Sequence, residues 1–256
     1  MLRFAANLSM MFNEWDFLDR FAAAADAGFD IVEFMFPYDF SPDDIAARVQ
    51  RYKLEVALFN FPPGDAAKDE RGLAALPDRR DEFRAHVDRA IVYAKATGAK
   101  RMHMMAGRTP VNAASNACFR ENAAHAAEKA AAIGATVVIE PLNGRDVPGY
   151  FLNDFGQAER IIKDLSLPNL KLQFDFYHCQ ILHGDVIMRL RALVPIIGHI
   201  QIASVPDRNE PDLGELNFPV IFSEIEKSGY SGPIGCEYRP KGKTLDGLGW
   251  LKELRR

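Results

Sequence analysis

The chain has 256 residues, of which 48% are hydrophobic and 26% are charged, a composition that is typical of a folded globular protein and excludes a disordered one. A formal net charge of −4 gives the chain no overall attraction to nucleic acid or to an anionic membrane, so we expect a small-molecule partner. The three cysteines are scattered and no apolar run is long enough to span a membrane, which predicts a cytoplasmic protein without a membrane partner.

Eight short apolar runs are predicted as β-strands. In chain order they are RFAANL (3–8), DIVEFMF (30–36), LEVALFN (54–60), KRMHMMA (100–106), ATVVIE (135–140), NLKLQFD (169–175), GHIQIA (198–203) and PIGCEY (233–238). Each run is followed by a segment with helical spacing of apolar residues. These predicted helices are 14–28, 41–52, 77–98, 115–134, 153–165, 185–194, 218–229 and 244–256.

The alternation of eight strands with eight helices defines the expected architecture. Most of the strands are apolar on both faces, which is typical of a parallel sheet covered by helices. The number of strands and the chain length favour a single (β/α)8 TIM barrel that occupies 1–256 as one domain. An open doubly wound sheet is the alternative. No glycine-rich phosphate loop follows any strand, so the sequence does not indicate a nucleotide cofactor.

Residues at the helix boundaries support these helices. Ser41 before Pro42 is typical of a helix start, and left-handed helix ends are expected at Gly28, Gly98, Gly134 and Gly229. Three loops that follow strands are longer than a connection requires: 61–76, 141–153 and 204–217. In a barrel they would lie on the C-terminal face, where barrel enzymes have their active sites.

Polar side chains with oxygen atoms stand at or near the ends of the last four predicted strands. Glu140, Asp175 and Glu237 end the fifth, sixth and eighth strands, and Gln201 lies near the end of the seventh. Three carboxylates brought together repel one another unless a cation neutralises them. A ligand set without cysteine or histidine suits Mg²⁺ or Mn²⁺ and disfavours Zn²⁺. The sequence therefore predicts a divalent metal bound by these four residues.

Three further residues are candidates for binding a substrate. His178 follows Asp175 by three residues and can contact either a ligand or a helix packed above it. Arg145 and Arg208 lie on long loops, where arginine can hold a carboxylate with two hydrogen bonds.

Long segments of the second half of the chain resemble the hydroxypyruvate isomerase family of xylose isomerase-like TIM barrels. They are EPLNGRDVPGYFLND, LQFDFYHCQI, HIQIASVPDRNEPDLGELNF and GCEYRPKGKTLDGLGWL, and the resemblance extends over nearly the whole chain. It implies that Glu140, Asp175, Gln201 and Glu237 bind the metal and that Glu140 and Glu237 are also the catalytic pair. His178 would contact the substrate.

The resemblance implies a metal-dependent isomerase that interconverts hydroxypyruvate and tartronate semialdehyde, with a small anionic 2-oxo acid as its partner. Isomerisation of 2-oxo-tetronate on the same scaffold is the nearest alternative. A ketose 3-epimerase is disfavoured because its seventh-strand ligand is typically histidine and this chain has Gln201. A DNA-repair endonuclease and a non-catalytic sugar-acid-binding barrel are the remaining alternatives. The sequence leaves open whether the chain forms a homo-oligomer.

Overall fold

The eight strands form a closed parallel barrel in a computed structural model that describes residues 2–254. They follow one another around the barrel in chain order, and β1 pairs with β8 to close it. The strands are β1 (Phe4–Asn7), β2 (Ile31–Phe34), β3 (Glu55–Asn60), β4 (Arg101–His103), β5 (Thr136–Ile139), β6 (Leu170–Asp175), β7 (Ile197–Ile202) and β8 (Ile234–Cys236). The predicted TIM barrel is confirmed, and the open sheet is wrong.

The barrel is surrounded by nine α-helices within residues 2–254. They are α1 (Arg20–Asp26), α2 (Pro42–Arg51), α3 (Arg80–Thr97), α4 (Ala113–Ala131), α5 (Phe155–Leu165), α6 (Phe176–Leu182), α7 (Val186–Leu193), α8 (Phe218–Lys227) and α9 (Gly249–Leu254). Among the same residues, no helix has both the length and the apolar composition needed to cross a membrane.

Two elements differ from the sequence prediction. Helix α6 was not predicted, because it has only seven residues and begins directly after β6 without a loop. The last predicted helix, 244–256, is instead a short 3-10 turn at Thr244–Gly247 followed by α9. Residues 255 and 256 lie outside the described part of the chain.

The predicted helix ends are confirmed by local hydrogen bonds and backbone angles. The Ser41 side chain accepts a hydrogen bond from the backbone N–H of Asp44, and Pro42 begins α2. All four predicted glycines have the positive φ that suits a left-handed position: Gly28, Gly98, Gly134 and Gly229. These helix ends determine where the chain turns back toward the barrel.

The inside of the barrel contains buried polar side chains beside a small apolar cluster, whereas the layer between strands and helices is apolar. Glu33 on β2 is completely buried, and its carboxylate contacts His199 and Gln201 on β7. To reach β7 it passes Gly235 on β8, where an added Cβ would collide with the Glu33 carboxylate. Because Gly235 has no side chain, the Glu33 side chain of β2 can pass β8 and form hydrogen bonds with His199 and Gln201 of β7.

Replacement of Gly235 by alanine is expected to destabilise the protein. The new methyl group must displace a buried, hydrogen-bonded carboxylate, and overpacking of this kind costs about 1–3 kcal/mol. Chemical denaturation of Gly235→Ala and wild type measures the free energy of unfolding. Gly242→Ala is the control, since a Cβ there meets no atom within 4 Å. Equal stability of the two variants would contradict this account of Gly235.

Candidate active site

A cavity of about 380 Å³ opens where the strands end at their C-terminal side. Among the residues that line it are Asn60, His103, Glu140, His178, Arg208 and Glu237. They follow or end six different elements of the barrel, so the cavity exists only because the sheet is closed. This is the face on which the long loops were expected to surround a site.

The structure places the four predicted metal ligands at this end of the barrel. Glu140 directly follows β5, Asp175 ends β6, Gln201 lies within β7 and Glu237 directly follows β8. All four are buried, with at most 7% of the residue exposed. Glu140, Asp175 and His178 each offer a ligand atom, and these atoms lie within 4.8 Å of one another. Among the described residues this group does not include Glu237, which is linked to Asp175 through Arg208, and Gln201 is linked to Glu140 through Gln173.

If all three carboxyl groups of this cluster were ionised, they would carry more negative charge than Arg208 neutralises. Burial, followed by the charges of Glu237 and Asp175, raises the pKa of Glu140 well above its usual value. Burial also raises the pKa of Glu237 to about 8 and that of Asp175 to about 6, although nearby Arg208 opposes both shifts. Within residues 2–254, Glu140 Oε1 and Asp175 Oδ2 have no hydrogen-bond partner. The cluster therefore suits a divalent cation.

His178 faces the cluster as a hydrogen-bond donor. Its Nδ1 lies 3.0 Å from the backbone nitrogen of Asn143, whose N–H can only donate. Burial lowers the pKa of His178 well below its usual value, and in a neutral ring the Nδ1 that accepts from Asn143 leaves the hydrogen on Nε2, which also lies 3.5 Å from Arg208 Nη2. This Nε2 lies 3.7 Å from Asp175 Oδ2 and 4.0 Å from Glu140 Oε1. A nitrogen that carries a hydrogen does not bind a cation, which leaves metal binding to the oxygen atoms.

A hydrogen-bond chain fixes the orientation of the Gln201 amide. Its Nε2 donates to Glu33 Oε1 at 2.8 Å, and Asn7 donates to the same oxygen at 2.9 Å. Gln201 Oε1 therefore points the other way, where it accepts from Gln173 Nε2 at 2.6 Å. The same Gln173 nitrogen donates to Glu140 Oε2 at 2.8 Å. Gln201 thus presents an oxygen toward the carboxylate cluster, and Gln173 shares that oxygen.

The two loop arginines are placed very differently. Arg208 is partly buried, its Nη2 lies 2.6 Å from Glu237 Oε2 and 3.6 Å from Asp175 Oδ2, and its guanidinium stacks on the Tyr177 ring. Arg145 is exposed and does not line the cavity. Sequence alone could not separate the two, because both lie on polar loops after strands. Arg208 is the one that the fold brings to the site.

Several cavity or barrel residues were not found by the sequence analysis. Glu33 and Gln173 interrupt otherwise apolar strands, and this interruption was the available signal. His103 also lines the cavity, and burial lowers its pKa to about 3, so its ring is neutral. Arg71 and Arg239 also line the cavity, but nothing in their local sequence distinguishes them from surface arginines.

The raised carboxyl pKa values predict how stability depends on pH. Because the native Glu237 holds its proton up to about pH 8 and an ordinary glutamate loses it near 4.5, ionisation of Glu237 opposes folding as the pH rises between these values. The lowered pKa values of His103 and His178 have the opposite effect, because they make stability increase with pH, but only below about pH 6.5. Between pH 6.5 and 8, in the presence of a chelator, the melting temperature should therefore fall as the pH rises.

Thermal unfolding with EDTA and with Mg²⁺ checks this prediction. A bound cation stabilises the ionised carboxylates, so Mg²⁺ should remove the decline, and Glu237→Gln should weaken it without metal. A melting temperature in EDTA that is constant or rises over this range would contradict the charge imbalance described above.

Comparison with known proteins places this geometry in a family. The xylose isomerase-like TIM barrel family matches residues 21–254. The chain is 55% identical to a 2-oxo-tetronate isomerase of Cupriavidus necator, over 98% of each chain. It is 44% identical to the hydroxypyruvate isomerase of Escherichia coli, over 100% of each. A crystal structure described as an AP endonuclease, family 2, from Brucella melitensis has 49% identity and a TM-score of 0.97, over 99% of each chain.

Proposed function

Because the chain belongs to the hydroxypyruvate isomerase family of xylose isomerase-like TIM barrels, and is thus an isomerase of the sugar-acid type, we propose that it interconverts hydroxypyruvate and tartronate semialdehyde by proton transfer. The observation that carries the proposal is the pair of buried glutamates, Glu140 and Glu237, on strands at different sides of one cavity. Both have raised pKa values. Buried carboxyl groups that resist joint ionisation suit one proton acceptor and one proton donor.

The proposed reaction moves one hydrogen from C3 to C2 of the substrate. One glutamate, as carboxylate, takes the C3 proton, and the electron pair of that C–H bond forms the C2–C3 double bond of an enediolate. The other glutamate, as carboxylic acid, then delivers a proton to C2. The hydroxyl proton of C3 is lost as its oxygen becomes a carbonyl, and the C2 oxygen gains a proton. No external oxidant or reductant is needed, since the hydrogens are only redistributed.

A divalent metal, Mg²⁺ or Mn²⁺, is proposed as the cofactor. The oxygens of Glu140, Asp175, Gln201 and Glu237 would hold it, in agreement with the unpartnered carboxylate oxygens of the cluster. When bound, such a cation supplies positive charge that polarises a carbonyl and stabilises developing negative charge on the substrate oxygens.

Two further residues have proposed roles in holding the substrate. The Nε2–H of His178 donates a hydrogen bond to a substrate oxygen, because its ring is locked by the backbone of Asn143. Arg208 is the better candidate than Arg145 for the substrate carboxylate, since it lines the cavity. Its contacts with Glu237 and Asp175 also hold it beside the reacting carbons, where positioning contributes most to the rate.

A four-carbon acid, 2-oxo-tetronate, is the second candidate substrate. It is favoured by the 55% identity to a 2-oxo-tetronate isomerase and by the size of the cavity. The chemistry would be the same, because the additional hydroxymethyl group lies beyond the two reacting carbons. An endonuclease would need a cluster of zinc-binding histidines. Among residues 2–254, the only group of three or more ligating side chains contains one histidine.

The proposed function is tested by turnover of hydroxypyruvate and 2-oxo-tetronate, with Mg²⁺ and with EDTA. We expect isomerisation that EDTA removes. Glu140→Gln and Glu237→Gln should each lower kcat by about 100-fold or more, because an amide can still offer an oxygen to a cation but cannot accept a proton. Glu128→Gln, at an exposed position of α4, is the control and should be unaffected. Near-normal turnover by either site variant would refute the two-glutamate proposal.

The route of the hydrogen is tested by isomerisation in D₂O. Transfer through a glutamate carboxyl group, which exchanges its proton with solvent, should place deuterium at C2 of tartronate semialdehyde. A hydride shift between the adjacent carbons would instead carry the original C3 hydrogen across. Nuclear magnetic resonance or mass spectrometry of the product after a single turnover distinguishes the two routes. The reverse experiment uses substrate deuterated at C3, in H₂O. Solvent hydrogen at C2 of the product would exclude a hydride shift, whereas full retention of deuterium at C2 would exclude exchange with solvent.

A further inference from the structure

We propose that Asn60 and His103 form a subsite for a terminal hydroxymethyl group of the substrate, and that this subsite makes the enzyme prefer a four-carbon 2-oxo acid to a three-carbon one. The inference rests on the proposed isomerisation and names the substrate class of the same cavity. It assigns a role to two buried polar residues that the proton-transfer chemistry does not use.

The barrel places Asn60 and His103 side by side and away from the last two strands. They are direct partners in the register of β3 and β4, and each is the last residue of its strand. In a closed barrel of eight strands, β3 and β4 lie across from β7 and β8, from which Gln201 and Glu237 project. Both residues line the same cavity as Glu140. A substrate held between the catalytic glutamates therefore extends toward this pair if it has a further carbon.

Both side chains have unused hydrogen-bonding capacity although they are buried. His103 is 2% exposed, and within residues 2–254 neither of its ring nitrogens has a hydrogen-bond partner. Its nearest charged neighbour is Glu140, whose Oε2 lies 3.5 Å from Nδ1. Asn60 is 6% exposed, and its side-chain nitrogen donates to the sulfur of Met105, a weak acceptor, at 3.9 Å. Burial of an unpartnered polar group costs about 1–3 kcal/mol, which a bound polar ligand offsets.

The chemistry of the pair fits a hydroxyl group better than a carboxylate. An asparagine amide has both a donating and an accepting group, the two ring nitrogens of a histidine can donate or accept, and a hydroxyl group also does both. A carboxylate only accepts, and it is attracted to cations. The cationic side chains of the cavity are Arg71, Arg208 and Arg239. The charged end of the substrate is therefore drawn to an arginine, while the uncharged pair remains available for a hydroxyl group.

The size of the cavity agrees with a substrate longer than three carbons. Its volume of about 380 Å³ corresponds to about a dozen water molecules at ~30 Å³ each. Hydroxypyruvate has seven non-hydrogen atoms and leaves much of this space unfilled. Met35 and Met105 also line the cavity, and such flexible side chains adapt to a longer ligand. A hydroxymethyl group added to C3 extends the substrate into this space.

The experiment compares hydroxypyruvate with 2-oxo-tetronate as substrates of wild type and Asn60→Leu. Leucine keeps the volume of asparagine approximately but removes both hydrogen-bonding groups. We expect kcat/KM for the four-carbon acid to fall at least tenfold, the effect of losing about 1.4 kcal/mol, while that for hydroxypyruvate changes less than threefold. Asn116→Leu, the same substitution at a partly exposed position of α4 outside the cavity, is the matched control and should leave both activities unchanged. Asn60→Ala serves if the leucine variant does not fold, as judged by circular dichroism.

Each outcome has a definite meaning. An equal loss on both acids, or no loss on either, would overturn the subsite, and so would a wild-type enzyme that acts on hydroxypyruvate alone. Wild-type enzyme that isomerises neither acid in the presence of Mg²⁺ or Mn²⁺ would reject the proposed function and the subsite with it. Because the proposed function is judged on wild type and the subsite on the ratio between two substrates, their failures are distinguishable.

Discussion

The crowding of three carboxyl groups at the mouth of the barrel is the constraint on which the rest of the site depends. Glu140, Asp175 and Glu237 are buried, and the partly buried Arg208 contacts two of them. Removing charges from water is costly unless they are paired, so the fold must hold them in place against their mutual repulsion. It does so by attaching each carboxylate to a different strand of a closed sheet, where none can move away without opening the barrel.

The polar interior below the cavity extends this support across the whole barrel. Glu33 collects hydrogen bonds from Asn7, His199 and Gln201, and Gln173 continues the chain upward to Glu140. Side chains from β1, β2, β6 and β7 are thereby joined to the residue after β5. Gln173 Oε1 and His199 Nδ1 have no partner within residues 2–254, but the hydrogen bonds that are made restrict the orientations of the side chains they join. The orientation of Glu140 at the mouth of the barrel consequently depends on hydrogen-bonded side chains deeper in the barrel.

The sequence predicted the barrel and the strand-end residues because both depend on local patterns. An apolar run that ends on Glu140 or Asp175 places a carboxylate at a strand end whatever the rest of the fold does. The contact between Glu33 and Gln201 could not be predicted, since it requires closure of the sheet and the lack of a side chain at Gly235. Arg145 and Arg208 were indistinguishable for a similar reason: the course of a long loop is set by tertiary contacts. Helix α6 was missed because seven residues provide too few periods for a pattern.

The hydrogen bond from the backbone of Asn143 to His178 has a consequence for how this protein can change over evolution. A main-chain N–H is present in every residue except proline, so substitution at position 143 alters a side chain and leaves the donor in place. The protonated nitrogen of His178 is in this way protected from most mutations of its neighbour. A substitution of Asn143 would remove the contacts of its buried side chain with His178 and with the Asp146 backbone, but the main-chain donor that orients the histidine would remain.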